Sequence, residues 1–430
     1  MSESTWKSKW SLDQIKAMLL EQFEAFIALD PGIERQKLLE IERASDLPHA
    51  IIISGLRRVG KSTLLIQVAR KLGNNAFYYI NFEDDRFLGF QAEDANYLYQ
   101  ATVELFGERK IFIVDEIQNI PGWEHFVRRF MEMGFKFYIT GSNASLLSRE
   151  LGTRLTGRYL PIELLPFSFV EFLDFRGEGL PNLQKMKTTD IARLNSALSD
   201  YVKIGGIPDA IKYPELPLLR TLYDDVLYRD IATRYHLEAV TALKELAFYL
   251  MSNPASLISY NKLKGQFGLG SVNTIKSYID YMENSWLIFT VNRYDYSIKR
   301  QQIAPKKVYC IDTGLSNIVG FSFSPNTGKL LENLVFLSLR GETKEIYYYA
   351  SPKGYEVDFY LPDTHQLIQV AQNLTNVKVR EREIRALQDA IQNIKKVNKV
   401  LILSDANEDS FQINHVTVEI RSIAEWLIRS

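Results

Sequence analysis

The sequence predicts a multi-domain α/β chain whose first part is a doubly wound parallel sheet. Three observations predict it. The chain has 430 residues, more than one hydrophobic core ordinarily serves. Four apolar runs, HAIIISG (49–55), AFYYINF (76–82), KIFIVDE (110–116) and FKFYITGS (135–142), lie in its first part with helical patterns between them. Runs of this kind are strands covered on both faces, and strands alternating with helices wind a parallel sheet. A glycine-rich loop follows the first run and opens a helix.

Hydrophobic residues make up 46% and charged residues 24%, enough apolar material for several cores. The net charge of −1 excludes a chain that is basic throughout, so any nucleic-acid surface must be local. The single cysteine, Cys310 in KVYCIDTGL, excludes an internal disulfide and a multi-cysteine metal site, and reads as a core residue. The five histidines show no ligand spacing. With no apolar leader core and no run of 18 apolar residues, the expectation is a cytoplasmic protein with no membrane association.

Residues 11–30 repeat apolar side chains at helical spacing (Ile15, Met18, Leu19, Phe23, Phe26), and DPG at 30–32 breaks the pattern. The expected divisions are an N-terminal helical extension (1–48), a nucleotide-binding core (49–165), a helical region (166–235), a helix-and-hairpin region (236–308) and a mixed α/β region (309–430).

SGLRRVGKST (54–63) fits G-x-x-x-x-G-K-[ST] between a strand and a helix, the context that motif requires. Gly55, Arg58, Val59, Gly60, Lys61, Ser62 and Thr63 are the candidate nucleotide-binding residues. Glycines let backbone N–H groups curl round phosphates, Lys61 brings a point charge to the β- and γ-phosphates, and the Ser62 hydroxyl suits Mg²⁺. IFIVDEIQ (111–118) adds Asp115 and Glu116 at a strand end, where the crevice of an open α/β sheet lies. Asp115 is the candidate second metal ligand, and Glu116 the candidate base for an attacking water. ATP and Mg²⁺ are thus the expected cofactors and hydrolysis the expected reaction. In YITGSNASLL, Ser142 or Asn143 is placed to sense the γ-phosphate or orient water. Of the arginines that follow, Arg158 and then Arg154 are the candidates to reach a neighbouring subunit's nucleotide.

GLRRVGKST, VDEIQNIPGWEHFVRRF, ITGSNASLLSRELGTRLTGRYLPIELLPFSFVEFL and YVKIGGIPDAI together resemble the prokaryotic AAA+-type ATPases of the archaeal-ATPase group. The resemblance runs from about 49 to 430. It implies a P-loop ATPase core, a helical lid, a winged helix and a C-terminal domain of restriction-endonuclease-like fold. It matches the family's Gly-Arg pair to Gly157-Arg158. It also implies a homo-oligomer working as a ring, and it leaves the cellular role open.

SLISYNKLKGQFGLGSVNTIKSYIDYMENSWLIFTVNRYDYSIKRQQIAPKK (256–307) reads as helix, turn, helix and two strands joined by a basic tip, a candidate winged helix. SVNTIKSYIDYME would be the recognition helix, with Ser271 as N-cap and Val272, Ile275, Tyr278, Ile279 and Met282 facing inward. The lysines and arginines of 255–307, Lys306 and Lys307 among them, form a local positive excess. Lys276, Lys299 and Arg300 are the candidate DNA contacts, with Lys299 and Arg300 at the wing.

EVDFYLPDTHQLIQVA (356–371) has the outline of a metal-dependent nuclease centre. With LLENLVFLSLR ahead of it, the resemblance matches Glu332, Glu356 and Asp358 to the acidic positions. Gln369 and Ala371 stand where the Glu and Lys of the E-x-K tripeptide would be. An amide brings no charge to a hard cation and alanine cannot steady a water. The expectation is a retained fold with cutting lost. The leading reading is an oligomeric ATPase that couples hydrolysis to remodelling or moving along DNA. The alternatives are a nucleotide-dependent switch read by protein partners and an ATP-gated nuclease.

Overall fold

The computed structural model describes residues 10–91, 94–144, 155, 157–183, 185–238, 240–320, 327–405 and 408–429. Arg154 lies outside them. The chain separates into two compact units, Met1–Leu164 and Leu165–Ser430.

The first unit is built on five parallel strands in the order β2-β3-β4-β1-β5. They are β1 (Ala50–Ser54), β2 (Phe77–Asn81), β3 (Ile111–Asp115), β4 (Lys136–Gly141) and β5 (Tyr159–Glu163). Strands β1 to β4 come from the four apolar runs, and their interior residues are buried, as a sheet covered on both faces requires. The fifth strand is an addition to the sequence reading. It carries Pro161 opposite Ile52 of β1, a residue confined to sheet edges because it lacks a ladder N–H. The helix Leu12–Ile27 opens with a Ser11–Gln14 capping box and buries Ile15, Met18 and Leu19 in the same core as Tyr78, Ile80 and Phe112. This helix is therefore part of the unit's core.

The second unit carries a nine-stranded mixed sheet in the order β13-β14-β12-β11-β10-β9-β7-β8-β6. Its strands are β6 (Ser256–Ile258), β7 (Ile288–Arg293), β8 (Lys306–Cys310), β9 (Tyr347–Ala350), β10 (Glu356–Leu361), β11 (Gln366–Ala371), β12 (Lys399–Ser404), β13 (Asp409–Ile413) and β14 (Val416–Ser422). The expected division at 308 falls inside β8. A parallel pairing of β7 with β9, at Asn292–Tyr347 and Arg293–Tyr348, joins the two halves of the sheet.

Ahead of the sheet, the helix Thr188–Ile204 ends at Gly205-Gly206, where the backbone meets the start of the helix Thr313–Val319, with Asp312 as its N-cap. A Cβ on Gly206 would come within 2.4 Å of the Phe167 carbonyl oxygen, and one on Gly314 within 1.8 Å of the Ile204 oxygen. Only glycine permits that approach. Asp312 is buried and accepts from the backbone N–H of Gly206 at 2.6 Å and of Leu315 at 2.8 Å. Burial, against these donors, pushes its carboxyl up to about 6.

Candidate functional site

Strand β1 delivers the glycine-rich loop, and the helix Lys61–Leu72 leaves it. Each glycine has its reason. Gly60 sits at φ +92° in the left-handed region, and a Cβ on Gly55 would stand 2.2 Å from the Leu164 carbonyl oxygen. Within the loop Val59 is buried, Arg58 is exposed at φ +63°, and Ser62 and Thr63 are half-buried in the first helical turn. The buried Lys61 ammonium is held by two backbone carbonyls, Leu56 at 3.2 Å and Gly55 at 3.3 Å, and lies 3.6 Å from Glu116 Oε1.

The end of β3 brings the carboxylates to this loop. The Ser62 hydroxyl donates to Asp115 Oδ2 at 2.6 Å, and the Thr140 hydroxyl donates to Asp115 Oδ1. The register explains the second bond: Val114 pairs with Ile139, so Asp115 and Thr140 lie side by side on neighbouring strands. Burial raises the Asp115 pKa, against the hydrogen bonds from Ser62 and Thr140. Glu116 adopts a left-handed backbone (φ 51°, ψ 47°), and its N–H donates to Thr140 Oγ1 at 3.1 Å. Its carboxylate accepts from Gln118, whose amide also reaches Ser142 Oγ at 3.4 Å. Burial works to raise the Glu116 pKa, but Lys61, Gln118, Arg57 and Ser142 together hold it below the ordinary carboxylate value.

The structure thus brings together Gly55, Gly60, Lys61, Ser62, Asp115 and Glu116. Ser142 is tied to Glu116 through Gln118, while the Asn143 carbonyl accepts the Ser54 hydroxyl at 2.8 Å. Arg158 is exposed and pairs with Glu132 at 3.6 Å. Sequence reasoning missed Thr140, Gln118 and Arg35. Arg35 is buried ahead of β1, and its guanidinium donates to the Val59 carbonyl at 2.7 Å, bracing the loop from behind. A hydroxyl one residue before the end of a strand adjoining the Asp-Glu pair was the available signal for Thr140. Arg35 carries no local signal.

In the second unit, the helix Val272–Asn284 has Ser271 as its N-cap and buries Ile275, Tyr278, Ile279 and Met282; Val272 is only half-buried, and Lys276 is exposed. Two features differ from expectation. The connection between β7 and β8 is a short helix, Ile298–Ile303, rather than a bare strand tip; it carries the exposed Lys299 and Arg300, the latter paired with Asp295 at 3.0 Å. Lys307 does not belong to a basic surface, because it is buried at 2% exposure.

Lys307 points instead into a cluster of carboxylates. Its Nζ lies 2.8 Å from Glu332 Oε1, 2.7 Å from Glu356 Oε1 and 2.8 Å from Asp358 Oδ1. Tyr309, two residues along the same face of β8, donates to Glu332 Oε1 at 2.7 Å. Gln369 Oε1 accepts the Asp358 N–H at 3.2 Å, and Gln369 Nε2 donates to Glu383 at 2.8 Å. Ala371 is buried among apolar neighbours. A cavity of about 530 Å³ opens beside the cluster, lined by Glu356, Gln369, Gln372, Asn373, Lys329 and Arg382.

Among the described residues no helix is long and apolar enough to cross a membrane. A family model for the AAA domain matches residues 48–173, and one for a domain of unknown function, DUF8612, matches 195–325. The chain is 35% identical to the uncharacterized protein MJ1544 of Methanocaldococcus jannaschii, over 85% of this chain and 84% of that one. It is 28% identical to an uncharacterized protein of Haemophilus influenzae, over 92% of this chain and 99% of that one. Solved structures with similarity include the Aeropyrum pernix ORC1 protein in complex with DNA (14% identity, 68% of this chain and 95% of that one, TM-score 0.31). Another is the Thermotoga maritima RuvB Holliday junction branch migration motor (16% identity, 66% and 90%, TM-score 0.28).

Proposed function

The chain belongs to the family of the Methanocaldococcus jannaschii protein MJ1544, and from that premise and its AAA domain we propose that it binds and hydrolyses ATP and couples the cycle to work on DNA. One observation carries the nucleotide reading. Lys61 is buried with its ammonium on two carbonyls, and its ion pair with Glu116, at 3.6 Å, is longer than a hydrogen bond, so the loop's cation can still receive a closer anion. Gly60, Lys61, Ser62 and Thr63 would receive the phosphates, and Ser62 with Asp115 would hold Mg²⁺. The paired oxygens of the half-buried Ser62 and the buried Asp115 suit a hard cation. When bound, Mg²⁺ neutralises charge on the β- and γ-phosphates.

The chain's own residues supply the rest. Glu116, kept ionised by Lys61 and Gln118, is the base that accepts the water's proton at its carboxylate. Thr140 fixes both carboxylates by bonding Asp115 with its hydroxyl and Glu116 through the backbone. Gln118 and Ser142 hold the base in place and are placed to register the γ-phosphate, with Asn143 beside them at the strand end. Arg158 is proposed to serve a neighbouring subunit. Its exposed pair with Glu132 is of a kind worth little, and so leaves the guanidinium available across a ring interface. Arg154 is the second candidate.

For DNA, the support is the helix Val272–Asn284 with exposed Lys276 and the β7–β8 connection with exposed Lys299 and Arg300, the parts of a winged helix. Beyond it, Glu332, Glu356 and Asp358 on a helix and β10 support the restriction-endonuclease-like reading. The test is ATP hydrolysis with single-stranded, duplex and branched DNA at low and moderate salt, with Glu116→Gln as control. Stimulation by one DNA form that fades with salt is expected. Hydrolysis indifferent to DNA, with no DNA binding at low salt, overturns the DNA reading and leaves a switch acting on protein partners.

A further inference from the structure

We infer that the carboxylate cluster of the second unit carries its own cation, the Lys307 ammonium, in the place where a nuclease-like centre would bind a divalent metal, so that it takes up no Mg²⁺ and cuts nothing. This rests on the restriction-endonuclease-like reading of the second unit and says what that site does.

Three acidic residues from separate parts of the fold converge on one ammonium. Glu332 comes from the helix Thr327–Glu342, and Glu356 and Asp358 from β10. All three lie 2.7–2.8 Å from Lys307 Nζ. Glu332 and Asp358 accept hydrogen bonds from it, and Glu356 closes an ion pair at 2.7 Å. A lysine that assists a metal stands beside it; Lys307 stands between the acids, at the point the metal would share with them. Among the described residues, no group of three or more His, Cys, Asp or Glu side chains is arranged to hold a metal ion.

The remaining donors are engaged elsewhere. Asp358 Oδ2 accepts the Val370 N–H at 2.9 Å. Gln369, at the position of the missing glutamate, spends its carbonyl on the Asp358 N–H and its amide on Glu383. Glu383 is a carboxylate the sequence outline did not include, and Arg382 holds its other oxygen at 2.5 Å. Gln369 therefore supplies no charge to a cation, and its carbonyl oxygen is already bonded to the Asp358 N–H.

The ammonium is also hard to displace. A divalent ion must shed tightly held water and push aside a tethered, buried cation. The Lys307 stem rises from β8, whose neighbours Val308, Tyr309 and Cys310 are fully buried. Burial alone would lower the lysine's pKa, but Asp358, Glu332 and Glu356 together raise it well above its ordinary value.

The test uses the full chain in an Asp115→Asn background, which removes the nucleotide-site metal ligand. Free Mn²⁺ is read by electron paramagnetic resonance during titration, and DNA integrity is followed in the same samples. The parent is expected to show no saturable Mn²⁺ site below about 1 mM and to leave DNA intact. Adding Lys307→Met is expected to create one site binding at least about tenfold tighter, lost again with Glu332→Gln. If Lys307→Met does not fold, Lys307→Met with Glu356→Gln removes one of the clustered negative charges and is read in the same way. A parent that binds one Mn²⁺ ion sensitive to Glu332→Gln overturns the inference, and Lys307 then stands in for the missing lysine of a working centre. A folded Lys307 variant that gains no site overturns it too. Neither outcome touches ATP hydrolysis in the otherwise native chain, which tests the nucleotide reading separately.

Discussion

Two buried lysines face carboxylates in this molecule, and they are held in opposite ways. Lys61 rests on two peptide carbonyls at 3.2 and 3.3 Å with its nearest carboxylate at 3.6 Å. Lys307 makes three contacts of 2.7–2.8 Å with three carboxylates. Both are buried. The first is a charge arranged for a ligand that arrives; the second is a charge whose partners are permanent. A lysine among acids therefore does not define a site until its coordination is counted. An incomplete shell marks binding, and a complete one marks architecture.

The contrast breaks most visibly on substitution of the first lysine and its neighbour. Lys61→Ala should abolish ATP binding while shifting the urea midpoint little. Glu116→Gln should keep ATP binding and lower turnover by about 10²- to 10⁴-fold, measured by phosphate release. Lys307→Met should do the reverse, costing about 3–5 kcal/mol in urea unfolding because three carboxylates lose their counter-charge, with ATP affinity of the folded chain unchanged. Loss of ATP binding in that variant would erase the distinction. Gly314→Ala sharpens it by destabilising the same unit without touching charge, by about 3 kcal/mol, since its Cβ would meet the Ile204 oxygen at 1.8 Å.

Asp312 extends the comparison to a buried carboxylate satisfied by backbone N–H groups. Its carboxyl is pushed from 3.8 up to about 6, so the folded chain binds this proton more tightly than the unfolded chain. The stability it contributes is greatest in acid and declines as pH rises through that window, then levels off. Relative to Asp312→Asn, the native chain should lose about 2 kcal/mol between about pH 4.5 and about pH 7, compared by urea midpoints. The smallest effects belong to the surface. Lys276→Ala and Lys299→Ala should each weaken DNA binding a few-fold for every sequence and reduce the salt slope by about one.

Much of the first unit was legible. Strands β1 to β4 are apolar on both faces and short, and the loop between β1 and its helix has a fixed chemistry. Strand β5 was not, since Pro161 argues against a strand until the edge position is known. Asp115, Glu116 and Ser62 were found because their spacing is local. Thr140 and Arg35 were not, because their roles follow from strand register and from a chain segment that returns to brace the loop. Lys307 was misread as surface because it sits in a basic run. Strand alternation held the correction: Lys307 and Tyr309 share a face of β8, and a tyrosine between Val308 and Cys310 in a buried strand points inward. Glu383 lies 14 residues beyond Gln369, on a different element, and only the fold brings them together.

The pairing of β7 with β9 joins the basic hairpin and the carboxylate-bearing strands in one sheet. Hydrogen-bonded strands shear poorly, so a torque applied at Lys299 would be felt at Glu356 with little lost to hinge bending. The part proposed to meet DNA and the part proposed to be nuclease-like would then turn as one lever arm, and whatever grips the far end would be carried through the stroke.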